Sequence, residues 1–147
     1  MPSLLLLNGP NLNLLGSRQT DVYGTATLSE IEDQSRAHAE SLGADLTALQ
    51  SNHEGVLVEA IHAARNIHHG IIFNAGAYTH TSVALRDAIS SVELPVVELH
   101  LSNIHAREHF RQTSHIAPVA IGQICGFGPV GYKLAIDALL SHIGGKA

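Results

Sequence analysis

The stretch Ile71-Ile72-Phe73-Asn74-Ala75-Gly76-Ala77-Tyr78-Thr79-His80-Thr81-Ser82 opens on an apolar run and closes on hydroxyls and an imidazole. The run Ile71-Ile72-Phe73 has the character of a strand buried on both faces. Asn74-Ala75-Gly76 then supplies small residues suited to a tight turn or to a close backbone approach to a ligand. Val83 to Ile89 follows with the spacing of an amphipathic helix. Strand, polar loop and helix in that order form a βα unit. In an open parallel sheet, ligands sit at the carboxyl ends of such strands. Taken alone, the stretch is equally compatible with an ordinary βα turn; its neighbours decide.

Upstream, Ser3 to Leu7 reads as a buried strand running into the amide-rich turn Asn8-Gly9-Pro10-Asn11-Leu12-Asn13. Leu14 to Thr25 has no regular period and is long for a βα connection, which predicts a lid or binding loop. Thr27-Leu28-Ser29-Glu30 matches a capping box, and the helix it opens runs to Gly43 as its C′ residue. Asp45 to Gln50 is expected as an edge strand. Ser51 to Glu54 opens a helix with Leu57, Ile61 and Ala64 on its apolar face, ending near Asn66.

Downstream, Leu94 to His100 is a fourth strand with Pro95 at its start, where a missing donor does least harm. Ser102 to Ser114 is a polar loop with a short helical turn at His105–Phe110. Ala117 to Ile124 is expected as a fifth strand and Gly131 to Ile143 as a last helix, stopped by Gly144-Gly145. Five strands alternating with helices predict an α/β fold. The expectation is a single flavodoxin-like domain over residues 1–147, a five-stranded parallel sheet of order 2-1-3-4-5 with helices on both faces. In that order the loops after strands one and three flank a common crevice.

The chain has 147 residues, 45% of them apolar, and a formal charge of −5 from 8 Lys+Arg against 13 Asp+Glu. No basic stripe is visible, so nucleic acid is not the expected partner. Leu4 to Leu7 is too short for a signal-peptide core or a membrane span, so no membrane association is expected. Cys125, the single cysteine, excludes an internal disulfide and fits a reducing, cytoplasmic setting. Lys133 and Lys146 are the only lysines, which leaves little for imine chemistry.

Asn11, Arg18, Tyr23, Asn74, His80, Glu98, His100, Ser102 and Arg111 all fall at strand carboxyl ends or in the loops that follow. Glu98 and His100 lie two apart on a strand and so share a face. A carboxylate there orients the imidazole and favours its protonated form, making His100 a candidate general acid; the alternative is a surface pair at a strand end. Tyr23 is a poor base unless a cation stabilises its phenolate, and Arg18 on the same loop can do so. The alternative is a tyrosine that packs its ring beside a solvated arginine. Arg111 and His80, with Asp87, suit a small polyhydroxylated or carboxylated substrate, and Ser102 suits a carboxylate; ordinary surface or interface contacts are the alternative for each.

Two other patterns compete with this arrangement. His105-Ala106-Arg107-Glu108-His109 fits the H-x-x-E-H pattern of inverted zincins, which needs one long helix and a third ligand. A non-catalytic flavodoxin-like module could bind a nucleotide or phosphate through Asn8 to Asn13, but that loop lacks a G-x-G-x-x-G or a Walker lysine.

Four segments together closely resemble the type II 3-dehydroquinate dehydratases: Leu7 to Gly16, Gln50 to Gly55, Asn74 to Ala88, and Glu98 to Glu108. The resemblance runs almost end to end. It implies dehydration of 3-dehydroquinate to 3-dehydroshikimate by anti elimination through an enolate, a step common to shikimate biosynthesis and quinate breakdown. Neither metal nor other cofactor is implied. Tyr23 would be the base, assisted by Arg18. His100 would be the acid, oriented by Glu98, and Asn11 would stabilise the enolate oxygen. Asn74, the amides of Leu101 and Ser102, His80 and Arg111 would bind the substrate's carboxylate and hydroxyls. Asp87 would reach a neighbouring subunit's site, within trimers that assemble into a homododecamer.

Overall fold

The computed structural model describes residues 1–17 and 19–145, with Val22 and Tyr23 described by their backbone alone. Five parallel strands form one sheet in the order β2-β1-β3-β4-β5: β1 (Ser3–Asn8), β2 (Asp45–Gln50), β3 (Gly70–Asn74), β4 (Val96–His100) and β5 (Gly122–Cys125). The flavodoxin-like order expected from the βα alternation is therefore the order observed, with β2 at one edge.

Helices cover both faces of the sheet. A one-turn α1 (Thr20–Tyr23) precedes α2 (Leu28–Ser41); α3 (Glu54–Ala64), α4 (Val83–Val92) and α5 (Val130–Gly144) follow. Because strand side chains alternate, each inner strand feeds two cores. Leu4, Leu6, Ile72, Val97 and Leu99 pack with Ile31 of α2 and with Ile136 and Leu139 of α5. Leu5, Leu7, Ile71, Phe73 and Val96 pack with Leu57 and Ile61 of α3 and with Leu85 and Ile89 of α4. At the start of α2, Thr27 Oγ1 accepts from the Glu30 N–H at 3.2 Å, as the capping pattern predicts. Gly43, just past its end, has φ +79°, the left-handed position expected of a C′ glycine.

The fifth strand is shorter than expected. Ala117–Val119 is a 3-10 turn, and β5 begins only at Gly122. Pro118 has no N–H to give a ladder. The neighbouring N–H groups of Ile116 and Ala117 donate instead to Ser114 Oγ at 3.1 and 3.0 Å. The turn expected at His105–Phe110 is two short ones, Ile104–Ala106 and His109–Arg111. Among the described residues, no helix is long and apolar enough to cross a membrane.

Candidate active site

The strand register lines up a row of amides at the carboxyl end of the sheet. Gln50, Asn8 and Asn74 are register partners across β2, β1 and β3. The loops beyond β1 and β3 touch: the Gly9 N–H donates to the Asn74 carbonyl at 2.7 Å. Asn11 sits at φ 68°, ψ −5°, a left-handed conformation that asparagine tolerates. Its N–H donates to Asn52 Oδ1 at 3.0 Å, which also accepts from Gln50 Nε2 at 3.2 Å. Strand β2 thus anchors the loop that carries Asn11.

Between these loops and the end of β4 lies a cleft of about 120 Å³. Asn11, Asn74, His80, His100, Leu101, Ser102 and Arg111, all singled out from the sequence, line it. Leu12, Leu15 and Ile104 make its apolar part. Asp87 is exposed on α4 and lies outside this lining. Arg18 and the side chain of Tyr23 lie outside the described residues.

Glu98 lies beneath the cleft, fully buried, so the surface-pair alternative for Glu98 and His100 does not hold. Its Oε2 meets His100 Nε2 at 2.6 Å and accepts from Thr79 Oγ1 at 2.9 Å. Ser114 Oγ donates across both carboxylate oxygens, at 2.9 and 2.8 Å, and Gln123 Nε2 donates to Oε1 at 3.0 Å. Burial pushes the Glu98 carboxyl up. The hydrogen bond and charge of His100, then the hydroxyls of Ser114 and Thr79, outweigh it and leave the group below its ordinary value. An ionised Glu98 requires the proton of His100 on Nε2, which leaves Nδ1 as the nitrogen for chemistry in the cleft.

His80 stacks on His100 with ring centroids 6.4 Å apart and planes 18° from parallel. Its Nδ1 donates to the Thr113 carbonyl at 2.8 Å. Burial lowers the His80 pKa, and the charges of His100 and Arg111 add to this against the Thr113 bond. A neutral His80 with Nδ1–H committed leaves Nε2 as an acceptor for a substrate hydroxyl. Arg111 Nε donates to both oxygens of Glu108 at 3.2 Å, and its guanidinium lies 5.0 Å over the Phe110 ring.

Sequence reasoning missed several contributors. Arg107 lines the cleft, with Nη1 donating to Ser102 Oγ at 3.3 Å and Nε 3.6 Å from Glu108. The signal available was its spacing of four from Arg111, two cations beyond one strand end. Thr79, Ser114 and Gln123 were not assigned to Glu98, and Tyr132, which bonds both Asn8 and Asn74 from the last helix, was given no role. The inverted-zincin pattern fails geometrically: His105 and His109 lie on separate turns broken at Arg107–Glu108, and Glu108 is engaged by Arg111. Amides, a hydroxyl, two imidazoles and two guanidiniums around one small cleft suit a polyhydroxylated carboxylate and a proton transfer.

Residues 2–140 match the family described as Dehydroquinase class II. The chain is 68% identical over 143 residues to a 3-dehydroquinate dehydratase of Ruegeria pomeroyi, covering 97% of this chain and 96% of that protein. It is 59% identical over 140 residues to a 3-dehydroquinate dehydratase of Dinoroseobacter shibae, covering 95% and 93%. The crystal structure of a type II dehydroquinase from Butyrivibrio crossotus superposes with a TM-score of 0.93 at 41% identity, covering 95% of this chain and 97% of that one. With the sheet order, the cleft and these likenesses in agreement, the chain belongs to the class II dehydroquinases.

Proposed function

We propose that this chain, acting as one domain over residues 1–147, dehydrates 3-dehydroquinate to 3-dehydroshikimate. The step is an anti elimination through an enolate that needs neither metal nor imine. Tyr23, its phenolate stabilised by Arg18, takes the axial proton beside the ketone. The electron pair moves onto the ketone oxygen, where Asn11 stabilises it through a water. The enolate then re-forms the carbonyl, and the hydroxyl leaves with the proton of His100, so that the net loss is one water. Asn74, the amides of Leu101 and Ser102, His80 and Arg111 hold the carboxylate and the remaining hydroxyls.

The observation that carries this reading is the buried Glu98 at 2.6 Å from His100 Nε2. A fixed, ionised carboxylate behind an imidazole at the wall of a cleft is what an aimed general acid requires. The two guanidiniums of the cleft add the positive field that a carboxylate substrate needs.

Asp87, exposed on α4 and outside its own cleft, fits the further proposal that it completes a neighbouring subunit's site. The assembly proposed is a trimer, four of which make a homododecamer, in the cytoplasm. Sedimentation of the purified protein tests the assembly; a monomer at working concentration would overturn it.

Mixing the protein with 3-dehydroquinate should generate the ultraviolet absorption of a conjugated enone. Turnover should survive EDTA, and also borohydride treatment in the presence of substrate. Absence of the enone would sink the proposal. Tyr23→Phe is expected to lower kcat by a factor on the order of 10³ while calorimetry still detects substrate binding. Normal turnover by that variant would show that the base lies elsewhere.

A further inference from the structure

Glu98 is the inner end of a hydrogen-bonded chain that runs out to the protein surface. Gln123 is its register partner on β5, so both side chains leave the sheet on one face. Gln123 Nε2 donates to Glu98 Oε1 at 3.0 Å, and Gln123 Oε1 meets His105 Nε2 at 3.0 Å. His105 is exposed, on the short turn Ile104–Ala106, and its N–H donates to Asn103 Oδ1 at 3.2 Å.

The direction of this chain is imposed from within. An ionised carboxylate only accepts, so the Gln123 amide must turn its NH₂ inward and its carbonyl outward. His105 must then donate from Nε2. Both the neutral Nε2–H tautomer and the imidazolium do so, and the chain therefore survives a change of charge on His105. A flipped amide would set its carbonyl against the carboxylate.

Among the described residues, Gln123 is also the one donor that engages Oε1 alone. Thr79 and His100 bond Oε2, and Ser114 shares one hydroxyl hydrogen between the two oxygens. The terminal torsion of a glutamate is broad, so a carboxylate whose Oε1 keeps only its share of the Ser114 hydroxyl turns more readily than one with a donor of its own on that oxygen.

We infer that Gln123, oriented by His105, is a positioning residue for the general acid: it fixes the rotation of the Glu98 carboxylate and so the aim of His100. The inference rests on the role of His100 proposed above. Among the described residues, these other charged or titratable groups face the pair. His80 stacks on His100, Arg111 acts on His80, and Arg107 shares the cleft. Cys125 is the register partner of His100. Burial, and then the Glu98 charge, push its thiol to about 11, so it stays neutral.

The test is a double-mutant cycle on Gln123→Leu and His105→Phe, with full pH profiles. Gln123→Leu should lower kcat about tenfold, near the size of one hydrogen bond to a charged group, and leave KM within about twofold. A carboxylate that has lost a donor holds the proton shared with its imidazole more tightly, so the basic limb of kcat, which reports the general acid, should move up by about one pH unit. His105→Phe should shift the limb in the same direction by less, and the double variant should match Gln123→Leu alone. An unchanged limb in folded Gln123→Leu overturns the inference, and additive effects overturn the part given to His105.

Titration of the His100 ring by NMR, assigned by its loss in His100→Gln, gives a readout without substrate. Its midpoint should also rise in Gln123→Leu. If the unmodified protein makes no enone yet the midpoint rises, the dehydratase reading fails and the positioning role stands. Should Gln123→Leu not fold, the surface variant His105→Phe decides: no shift in its limb or midpoint overturns the inference.

Discussion

The phenol of Tyr132 is buried at the upper end of the sheet and carries two hydrogen bonds. It donates to Asn8 Oδ1 at 2.8 Å and accepts from Asn74 Nδ2 at 3.0 Å. Burial raises its pKa well above the ordinary tyrosine value, so it stays neutral and can do both at once. The other end of the Asn74 amide accepts from the Gly76 N–H at 3.2 Å. A backbone N–H can only donate, so the orientation of Asn74 is set without ambiguity, and Tyr132 locks it from behind. Tyr132→Phe would leave Asn8 Oδ1 and Asn74 Nδ2 buried without partners. We expect it to lower the unfolding free energy by about 2–4 kcal/mol. KM should rise more than kcat falls, because Asn74 binds substrate in the proposed mechanism. Urea unfolding together with steady-state kinetics checks both; an unchanged KM would mean that Asn74 keeps its place without the phenol.

At the level of elements, the cleft depends on how closely the β1 and β3 loops approach. A Cβ built on Gly9 would lie 2.4 Å from the Ala75 carbonyl oxygen, a backbone atom with no side-chain freedom to yield. Gly9→Ala should therefore push the loops apart and destabilise the fold by roughly 3 kcal/mol. Substrate affinity should fall with it; wild-type stability by urea denaturation would contradict the account. These loops, and the strands behind them, were legible because apolar runs, Gly and Asn carry local signals. The same holds for Glu98 and His100, whose spacing of two puts them on one face whatever the rest of the sheet does. Gln123 and Ser114 reach Glu98 from 25 and 16 residues away. Whether Gln123 meets it depends on the β4–β5 register, where a slip of one residue would turn the amide to the other face. No local pattern encodes that. The beginning of β5 was misread for a related reason: Ala117-Pro118-Val119 is apolar, but Ser114 captures the backbone N–H groups of Ile116 and Ala117 at its start.

For the whole molecule, the shifted groups predict how stability varies with acidity. His68 and His80 are both lowered from 6.5, His68 by burial and then by the charge of His69, and His80 by burial first. Each binds fewer protons folded than unfolded just below pH 6.5, so the unfolded chain gains protons first and stability falls as pH drops through that window. Glu98 is lowered from 4.5, so its contribution is present above that pH and is lost as pH falls through its folded value. Glu108 is lowered too, by its own backbone N–H and then by Arg111, but it is fully exposed and solvent screening leaves it little weight. Glu32, raised chiefly by burial, works the other way: its contribution fades as pH rises through its folded value. Two histidines and a fully buried carboxylate outweigh one partly buried one, so Tm should rise with pH from about 4 to about 6.5 and level off above. His68 bonds Ser3 Oγ at 2.8 Å, at the amino ends of the strands whose carboxyl ends carry the cleft. His68→Asn should flatten the upper part of the rise and leave turnover intact. Glu98→Gln should flatten the part below pH 4.5 and abolish the acid's orientation as well. Scanning calorimetry of the three proteins across this range separates the contributions. A rise that keeps its slope near pH 6 in His68→Asn and near pH 4 in Glu98→Gln would place the linked protons on other groups.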